Sequence, residues 1–268
     1  MTATCSPLRR VVNVLAVSLP LGWRLAIYLV AGIAAGISNG IAGGGTFITF
    51  PTMLALGVPA IQANVSSTVG VLPSYLGGLR GFREELRTRM PLVRRLLPAC
   101  LVGTALGTAL LLRGSPTTFR AIVPWLIGGA TILFALSPLV TKRLAHIDHA
   151  HPTRRWALQV GVFLVAVYGG YFGAGLGIML LAVMGLTLPD DLDTVQGLRS
   201  ALSTVINAVA ALVFLFRGHL AVEAVIMLLM GTAIGGWLGT VLIKKLRPNT
   251  VRALIVAIGA ATAIRLAV

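Results

Sequence analysis

Arg199 is the residue whose type and position point most directly to chemistry in this sequence. It lies in the apolar stretch VQGLRSALSTVINAV, about one helical turn after Gln196 and two turns before Asn207. No carboxylate accompanies it within that stretch, so a lone cation there is suited to binding an anion. The alternative is an arginine whose long side chain reaches the surface near a helix end, because Asp193 is only six residues away.

Two glycine-rich stretches, NGIAGGGTFITFP at 39–51 and GYFGAGLG at 170–177, lie inside long apolar segments. Glycine costs about 1 kcal/mol relative to alanine in a helix interior. Gly43–Gly45 therefore predict that one helix stops and that another begins near Thr46. The start of a helix presents free N–H groups and the positive end of its dipole, which favours an anion. The alternative is that these glycines serve close helix packing.

The composition places these residues in a membrane. The chain has 268 residues, of which 57% are hydrophobic and 11% are charged, and its mean hydropathy is +0.93. A soluble domain has about 25% charged residues, and a membrane span needs roughly 20 apolar residues. Eight apolar segments can be read between the charges, at approximately 23–56, 63–79, 91–112, 117–141, 156–188, 194–216, 220–243 and 248–268. We therefore predict an all-α polytopic membrane protein in the cytoplasmic (inner) membrane, with glycine-broken helices in segments 1 and 5.

The net charge of +15 arises from 22 basic and 7 acidic residues. The cations cluster in stretches that we predict to be loops, among them RGFREELRTRM, TKRLAHIDHAHPTRRW and KKLRPNTVR. Anionic membrane lipid and the bias of basic loops toward the cytoplasm explain this distribution. Nucleic acid is not an expected partner, because aromatic residues do not alternate with the basic ones. The sequence leaves open the membrane orientation and whether the protein forms a homodimer.

The apolar segments carry no arrangement typical of an enzyme or a metal centre. His146, His149 and His151 lie in the basic loop with irregular spacing and no second cluster of ligands. GAGLG is not a dinucleotide fingerprint, since no strand precedes it. We therefore expect neither catalysis nor a metal or other cofactor.

The order of features recurs in two halves of the chain. In residues 39–59 and 169–189, Gly43 and Gly45 align with Gly173 and Gly175. The organisation predicted is an N-terminal extension at 1–22, a first repeat at 23–141, a basic connecting loop at 142–155 and a second repeat at 156–268. Matching glycine-interrupted segments in two repeats indicate the binding site of a secondary transporter.

Polar residues near the two breaks complete the candidate site. Beyond the glycine clusters, the alignment of the two halves has to be shifted, and Asn64 then lies opposite Gln196. Asn64 begins a cluster of amide and hydroxyl donors. The candidate anion-binding residues are Asn39, Gly43, Gly44, Gly45, Thr46, Asn64, Ser67, Thr68, Gly173, Gly175, Gln196 and Arg199.

The stretches NGIAGGGTFITFPTMLALGVPAIQANVSSTVGVLPSYLGGLRGFR and VYGGYFGAGLGIMLL, with GLRSALSTVINAVAALVFLFRG after them, resemble the two halves of the sulfite exporter TauE/SafE family. The resemblance covers roughly residues 24–268. It implies export or permeation of small anions, often sulfur-containing ones such as sulfite or sulfoacetate. What it carries over falls on Asn39, Gly43, Gly44, Gly45, Asn64, Thr68, Gly170, Gly173, Gly175 and Arg199.

Two departures from the family's pattern bear on the cargo. This chain has NVSS where relatives often have an NATN-like run, and Arg199 where they often have lysine. Arginine keeps the charge but adds a planar fork that suits carboxylate or sulfonate. The function predicted is export of such an anion by alternating access, and the alternatives are a channel-like anion pathway and a membrane scaffold or sensor that transports nothing.

Overall fold

The structure, a computed structural model, describes residues 19–41, 43–81, 83–144, 154–188, 192–242 and 248–267. Most of the predicted N-terminal extension lies outside these ranges, as do the three histidines of the connecting loop. Within them the regular elements are all α-helices, in agreement with the predicted fold class. In chain order the helices are α1 (Leu21–Ile41), α2 (Thr46–Ala55), α3 (Ala60–Gly70), α4 (Leu72–Gly81), α5 (Arg83–Arg113), α6 (Pro116–Leu144), α7 (Arg154–Tyr171), α8 (Leu176–Thr187), α9 (Leu192–Arg217), α10 (Val222–Leu242) and α11 (Pro248–Ala267).

Four of the described helices are long and apolar enough to cross a membrane: α1, α5, α9 and α10. Shorter apolar helices are α2, α8 and the part of α7 from Trp156 to Tyr171. Many large apolar side chains are exposed on the outer surface, including Trp125 at 80% and Phe216 at 80%. Such a surface requires lipid around it. The chain is thus a polytopic membrane protein.

The first and fifth predicted segments are each two helices, as the glycines indicate. Segment 23–56 forms α1 and α2, and segment 156–188 forms α7 and α8. Each predicted break lies where the glycine cluster lies. The prediction of glycine-broken helices is confirmed for both segments.

The second predicted segment, 63–79, is not one continuous helix. Helix α3 ends at Gly70 and α4 begins at Leu72. Pro73 has no N–H to continue the helical bonding, and its ring excludes the preceding turn, whereas it is tolerated in the first turn of α4. The carbonyl of Gly70 accepts a hydrogen bond from the Thr232 hydroxyl at 2.7 Å. The kink is therefore fixed by a partner helix as well as by proline.

Two of the predicted basic loops are partly or wholly helical. RGFREELRTRM passes from the end of α4 into α5, which begins at Arg83. Arginine, glutamate, leucine and methionine are good helix formers, so charge alone was a poor guide to a loop there. The predicted connecting loop at 142–155 is shorter than expected, because α6 continues to Leu144 and α7 begins at Arg154.

Helices from the two predicted repeats pack against each other in a reciprocal pattern. Helix α1 packs along α10, and its counterpart α7 packs along α5. In the same way α9 packs on α5 while α4 packs on α10, and α8 meets α6 while α2 meets α11. This exchange is the pattern that two related halves would produce. It brings the two glycine breaks into the middle of one assembly.

Glycines allow these crossed helices to approach at the backbone. A Cβ atom at Gly235 of α10 would lie 2.1 Å from the Ile33 carbonyl oxygen of α1. A Cβ atom at Gly170 of α7, within the second glycine motif, would lie 2.4 Å from the Thr104 carbonyl oxygen of α5. Small residues hold helices together in lipid, where no hydrophobic driving force acts between them. Close packing is therefore the role of Gly170, as the alternative interpretation held.

We expect Gly235→Ala to destabilise the fold, because its methyl group would overlap backbone that cannot rotate away. Overpacking of this kind costs about 1–3 kcal/mol. The midpoint of thermal unfolding in detergent measures the effect. The matched control is Gly129→Ala, whose methyl group would meet nothing within 4 Å. Equal unfolding midpoints for the two variants would contradict the tight α1–α10 contact.

Candidate functional site

The first break joins α1 to α2 through a left-handed residue. Gly43 has φ of +77°, a conformation that glycine adopts without a steric penalty. Its N–H donates to the carbonyl oxygens of Ser38 and Asn39, at 3.2 and 3.3 Å. Helix α2 then begins at Thr46, as predicted, and the Ile48 N–H donates to the Gly45 carbonyl oxygen at 3.0 Å.

The second break repeats most of this geometry. Gly173 has φ of +77°, and its N–H donates to the Tyr168 carbonyl oxygen at 3.3 Å, five residues back as in the first break. The Ile178 N–H donates to the Gly175 carbonyl oxygen at 3.0 Å. One residue differs, because Gly175 has φ of +74° whereas its counterpart Gly45 has φ of −58°.

The two breaks meet. A Cβ atom added at Gly43 would lie 3.3 Å from Cα of Gly177, the second residue of α8. Beside them, Phe50 of α2 and Phe172 of the second break form an edge-to-face pair with ring centroids 5.3 Å apart. Such a pair adds about 0.5–1.5 kcal/mol beyond its buried area. The contact between the breaks is therefore packed and not incidental.

Arg199 of α9 lies against both breaks. Its Nη1 atom would be 3.2 Å from a Cβ atom at Gly43 and 3.4 Å from one at Gly177. The side chain is only 6% exposed, which excludes the alternative in which it reaches the surface. No carboxylate in the described part of the chain pairs with it, and the side chain that acts on its charge is Tyr75.

A small pocket surrounds this guanidinium. It is lined by Asn39, Gly43, Ser74, Tyr75, Gly177, Arg199, Ser200 and Ser203. The volume of the pocket that the centre of a water molecule can occupy is about 10 Å³. This is room for about one ordered water. The pocket contains a cation and several polar groups, and its free space is smaller than a sulfite or sulfonate group.

Asn39 builds one wall of the pocket. Its Oδ1 accepts a hydrogen bond from the Gly45 N–H at 2.7 Å, and its Nδ2 donates to the Ser74 hydroxyl at 2.8 Å. The Ser74 hydroxyl in turn donates to the Val71 carbonyl oxygen at 2.5 Å. Asn39 thus satisfies an N–H at the start of α2, as a capping side chain does, and ties α4 to the first break.

Several donors around Arg199 are not committed to other groups. The Ser203 hydroxyl is buried without a hydrogen-bond partner, and an orphaned buried polar group calls for an explanation. Among the backbone bonds of the described residues outside regular helix, none is donated by the Gly177 N–H. The Tyr75 hydroxyl lies within interaction range of Arg199, Asn39 and Asn207. The pocket is therefore rich in donors and poor in negative charge.

Three of the twelve predicted site residues line the pocket, namely Asn39, Gly43 and Arg199. The others lie outside its lining: Gly44, Gly45, Thr46, Asn64, Ser67, Thr68, Gly173, Gly175 and Gln196. Several of them hold helices together in this structure. The Asn64 Nδ2 donates to the Tyr171 carbonyl oxygen at 2.9 Å, and the Ser67 and Thr49 hydroxyls bond to each other. Asn64 Oδ1 and Gln196 Oε1, which the repeat alignment places opposite each other, are both buried without a partner.

Five residues of the lining were not predicted: Ser74, Tyr75, Gly177, Ser200 and Ser203. A signal existed for two of them, since Arg199, Ser203 and Asn207 recur at the helical spacing that marks one face of α9. Ser200 belongs to the same face. Ser74 and Tyr75 had no such signal, because the kink before them turns α4 in a direction that periodicity does not show.

Two interrupted helices that meet at a buried polar pocket are the architecture of a membrane transporter. Comparison with known proteins agrees. The sequence matches the sulfite exporter TauE/SafE family over residues 28–266, and the chain belongs to that family.

Two curated relatives are similar over most of their length. A "probable membrane transporter protein" of Haemophilus influenzae is 26% identical over 238 residues, which cover 87% of this chain and 90% of the relative. The "probable membrane transporter protein ORF9" of a Sinorhizobium species is 27% identical over 253 residues, covering 90% and 92%. No solved structure matches the chain significantly.

We expect Gly43→Ala and Gly173→Ala to lose similar amounts of stability, because both residues have φ of +77°. A left-handed alanine costs roughly 1–2 kcal/mol. Only Gly43→Ala also places a methyl group 3.2 Å from the Arg199 guanidinium, so it alone should weaken binding of sulfite. Thermal unfolding in detergent, with and without sulfite, measures both effects. An equal loss of sulfite binding in the two variants would mean that this pocket does not decide binding.

Proposed function

We propose that this protein is a secondary transporter which exports a small anion across the cytoplasmic membrane and holds it in the pocket around Arg199. The cargo proposed is a sulfur oxyanion, either sulfite or an organosulfonate such as sulfoacetate. The observation that carries the proposal is a guanidinium that is 6% exposed and has no carboxylate partner among the described residues.

An uncompensated buried cation is costly. The effective penalty for desolvating one ion in a protein is several kcal/mol, and a bound anion would offset it. Arginine binds planar or tetrahedral oxyanions through two parallel N–H bonds. The free Ser203 hydroxyl and Gly177 N–H lie in the same pocket and suit the remaining oxygens of such an anion.

The small size of the pocket supports a carrier over a channel. A channel requires a continuous wet path, whereas this site has room for about one water. The cargo can enter only if the residues that line the pocket move apart, and we propose that Gly43 and Gly177 are where they do so. Neither glycine has a side chain to disentangle, so the two breaks suit a contact that opens and closes in alternating access.

The charges in this region also bear on what drives export. The acidic residues Glu84, Asp193 and Glu223 are all exposed, and no acidic side chain acts on the charge of Arg199. The site therefore lacks the carboxylate that a proton relay or a sodium site usually needs. An anion leaving the cell moves down the membrane potential, which supplies about 2.3 kcal/mol per charge per 100 mV.

We expect Arg199→Gln to lower the affinity for sulfite at least tenfold, because the cation of the pocket is lost. Its stability without ligand should change little or rise, since a buried charge is removed. The sulfite-dependent rise in the unfolding midpoint in detergent measures the effect. Arg217→Gln, at the exposed end of the same helix, is the control and should bind as the unaltered protein does. Undiminished stabilisation of Arg199→Gln by sulfite would refute the proposed site.

In reconstituted vesicles we expect saturable sulfite flux that follows an imposed potential. A difference of 100 mV corresponds to about a fiftyfold accumulation ratio for one charge. Radiolabelled sulfite and a potassium diffusion potential give the measurement. Flux that fails to saturate would indicate a channel, and absence of flux would indicate a scaffold. Flux that needs a proton gradient and ignores the potential would contradict the proposed driving force.

A further inference from the structure

We infer that the pocket selects anions by charge number: it accepts a singly charged oxyanion and rejects a doubly charged one of the same size. This inference rests on the proposed function and narrows its cargo. It favours hydrogensulfite, or a sulfonate whose substituent is uncharged, over sulfate and over the doubly charged form of sulfoacetate.

The first observation is the balance of formal charge. Of the eight residues that line the pocket, Arg199 is the one with a fixed charge. A bound monoanion and this guanidinium sum to zero. A bound dianion would leave one net negative charge buried, with no second cation among the lining residues to compensate it. Buried charges that lack a partner are strongly disfavoured.

The remaining donors do not change this balance. The hydroxyls of Ser203 and Tyr75 are neutral groups, and so is the Gly177 N–H. They can orient the oxygens of an anion, but they bring no net charge. The start of α8 contributes the positive end of a helix dipole, equivalent to about half an elementary charge. Together with Arg199 this still falls short of two charges.

The start of α2 contributes less, because one of its N–H groups is already bonded and Thr46 lies outside the pocket lining. The Gly45 N–H is bonded to Oδ1 of Asn39 at 2.7 Å, so it is not free for an anion. One of the two N–H groups of the Asn39 amide donates to the Ser74 hydroxyl. The first break therefore forms part of the pocket wall, and the second break provides the start of helix α8.

Size alone cannot provide the same selectivity. The pocket must widen to admit any tetrahedral anion, since it has room for about one water. Methanesulfonate and sulfate have the same shape and differ by a methyl group in place of one oxygen. The cost of widening is therefore nearly the same for both.

The test is a comparison of methanesulfonate and sulfate on the unaltered full-length protein in detergent, at equal ionic strength. Titration calorimetry and the ligand-dependent unfolding midpoint give the two affinities. We expect methanesulfonate to bind at least ten times more tightly than sulfate, a difference of 1.4 kcal/mol or more. Sulfate binding as tightly as methanesulfonate, or more tightly, would overturn the inference and leave the proposed anion site intact.

Two variants separate charge from geometry. Arg199→Lys keeps one positive charge but loses the planar fork, so it should weaken both anions and still prefer methanesulfonate. Reversal of the preference in Arg199→Lys would show that the fork sets the selectivity, and would overturn the inference. Arg217→Gln should leave both affinities unchanged. If methanesulfonate, sulfate and sulfite all fail to bind the unaltered protein, the inference falls together with the proposed function.

Discussion

The candidate site is built around a positive charge held in a place where water cannot solvate it well. Arg199 is buried against two breaks in the helical backbone, and its nearest polar neighbours are hydroxyl and peptide groups and not carboxylates. A soluble protein would pair such a guanidinium with an acid. Here the acidic residues Glu84, Asp193 and Glu223 are exposed. The site is thus electrostatically incomplete in itself, and an anion is the simplest group that completes it.

Glycine serves two different purposes around this charge. At Gly43 and Gly173 a left-handed backbone is required to end one helix and start the next. At Gly170 and Gly235 the backbone is ordinary, but a neighbouring carbonyl oxygen leaves no space for a Cβ atom. The two purposes are connected, because helices that pack closely across the halves bring the breaks together. Both interpretations of the glycine clusters that the sequence left open therefore apply, at different residues.

The two breaks are alike in backbone but unlike in the side chains around them. Both breaks have a left-handed glycine at the same position and the same hydrogen-bond pattern into the following helix. Arg199, however, has no basic counterpart at the aligned position of the first half. The alignment that places Asn64 opposite Gln196 places Ser67 opposite Arg199, and Ser67 bonds to Thr49. A single cation between the two breaks gives a site with one charge to neutralise. This asymmetry is also the basis for expecting selectivity by charge number.

The sequence by itself determined the membrane-spanning class, the positions of both helix breaks and the location of the Arg199 charge in an apolar segment. These follow from local physics: apolar length, the cost of glycine in a helix, and the cost of a charge in an apolar segment. It did not determine that the helix in 63–79 is interrupted at Val71 or that α5 begins as early as Arg83. The tertiary structure alone decided which polar residues surround the charge. Ser74 and Tyr75 reach Arg199 because α4 is redirected and packs on α9, whereas Asn64 and Thr68 are held by contacts elsewhere. Contacts between residues more than a hundred positions apart depend on how the helices cross. The periodicity within one helix cannot predict that crossing.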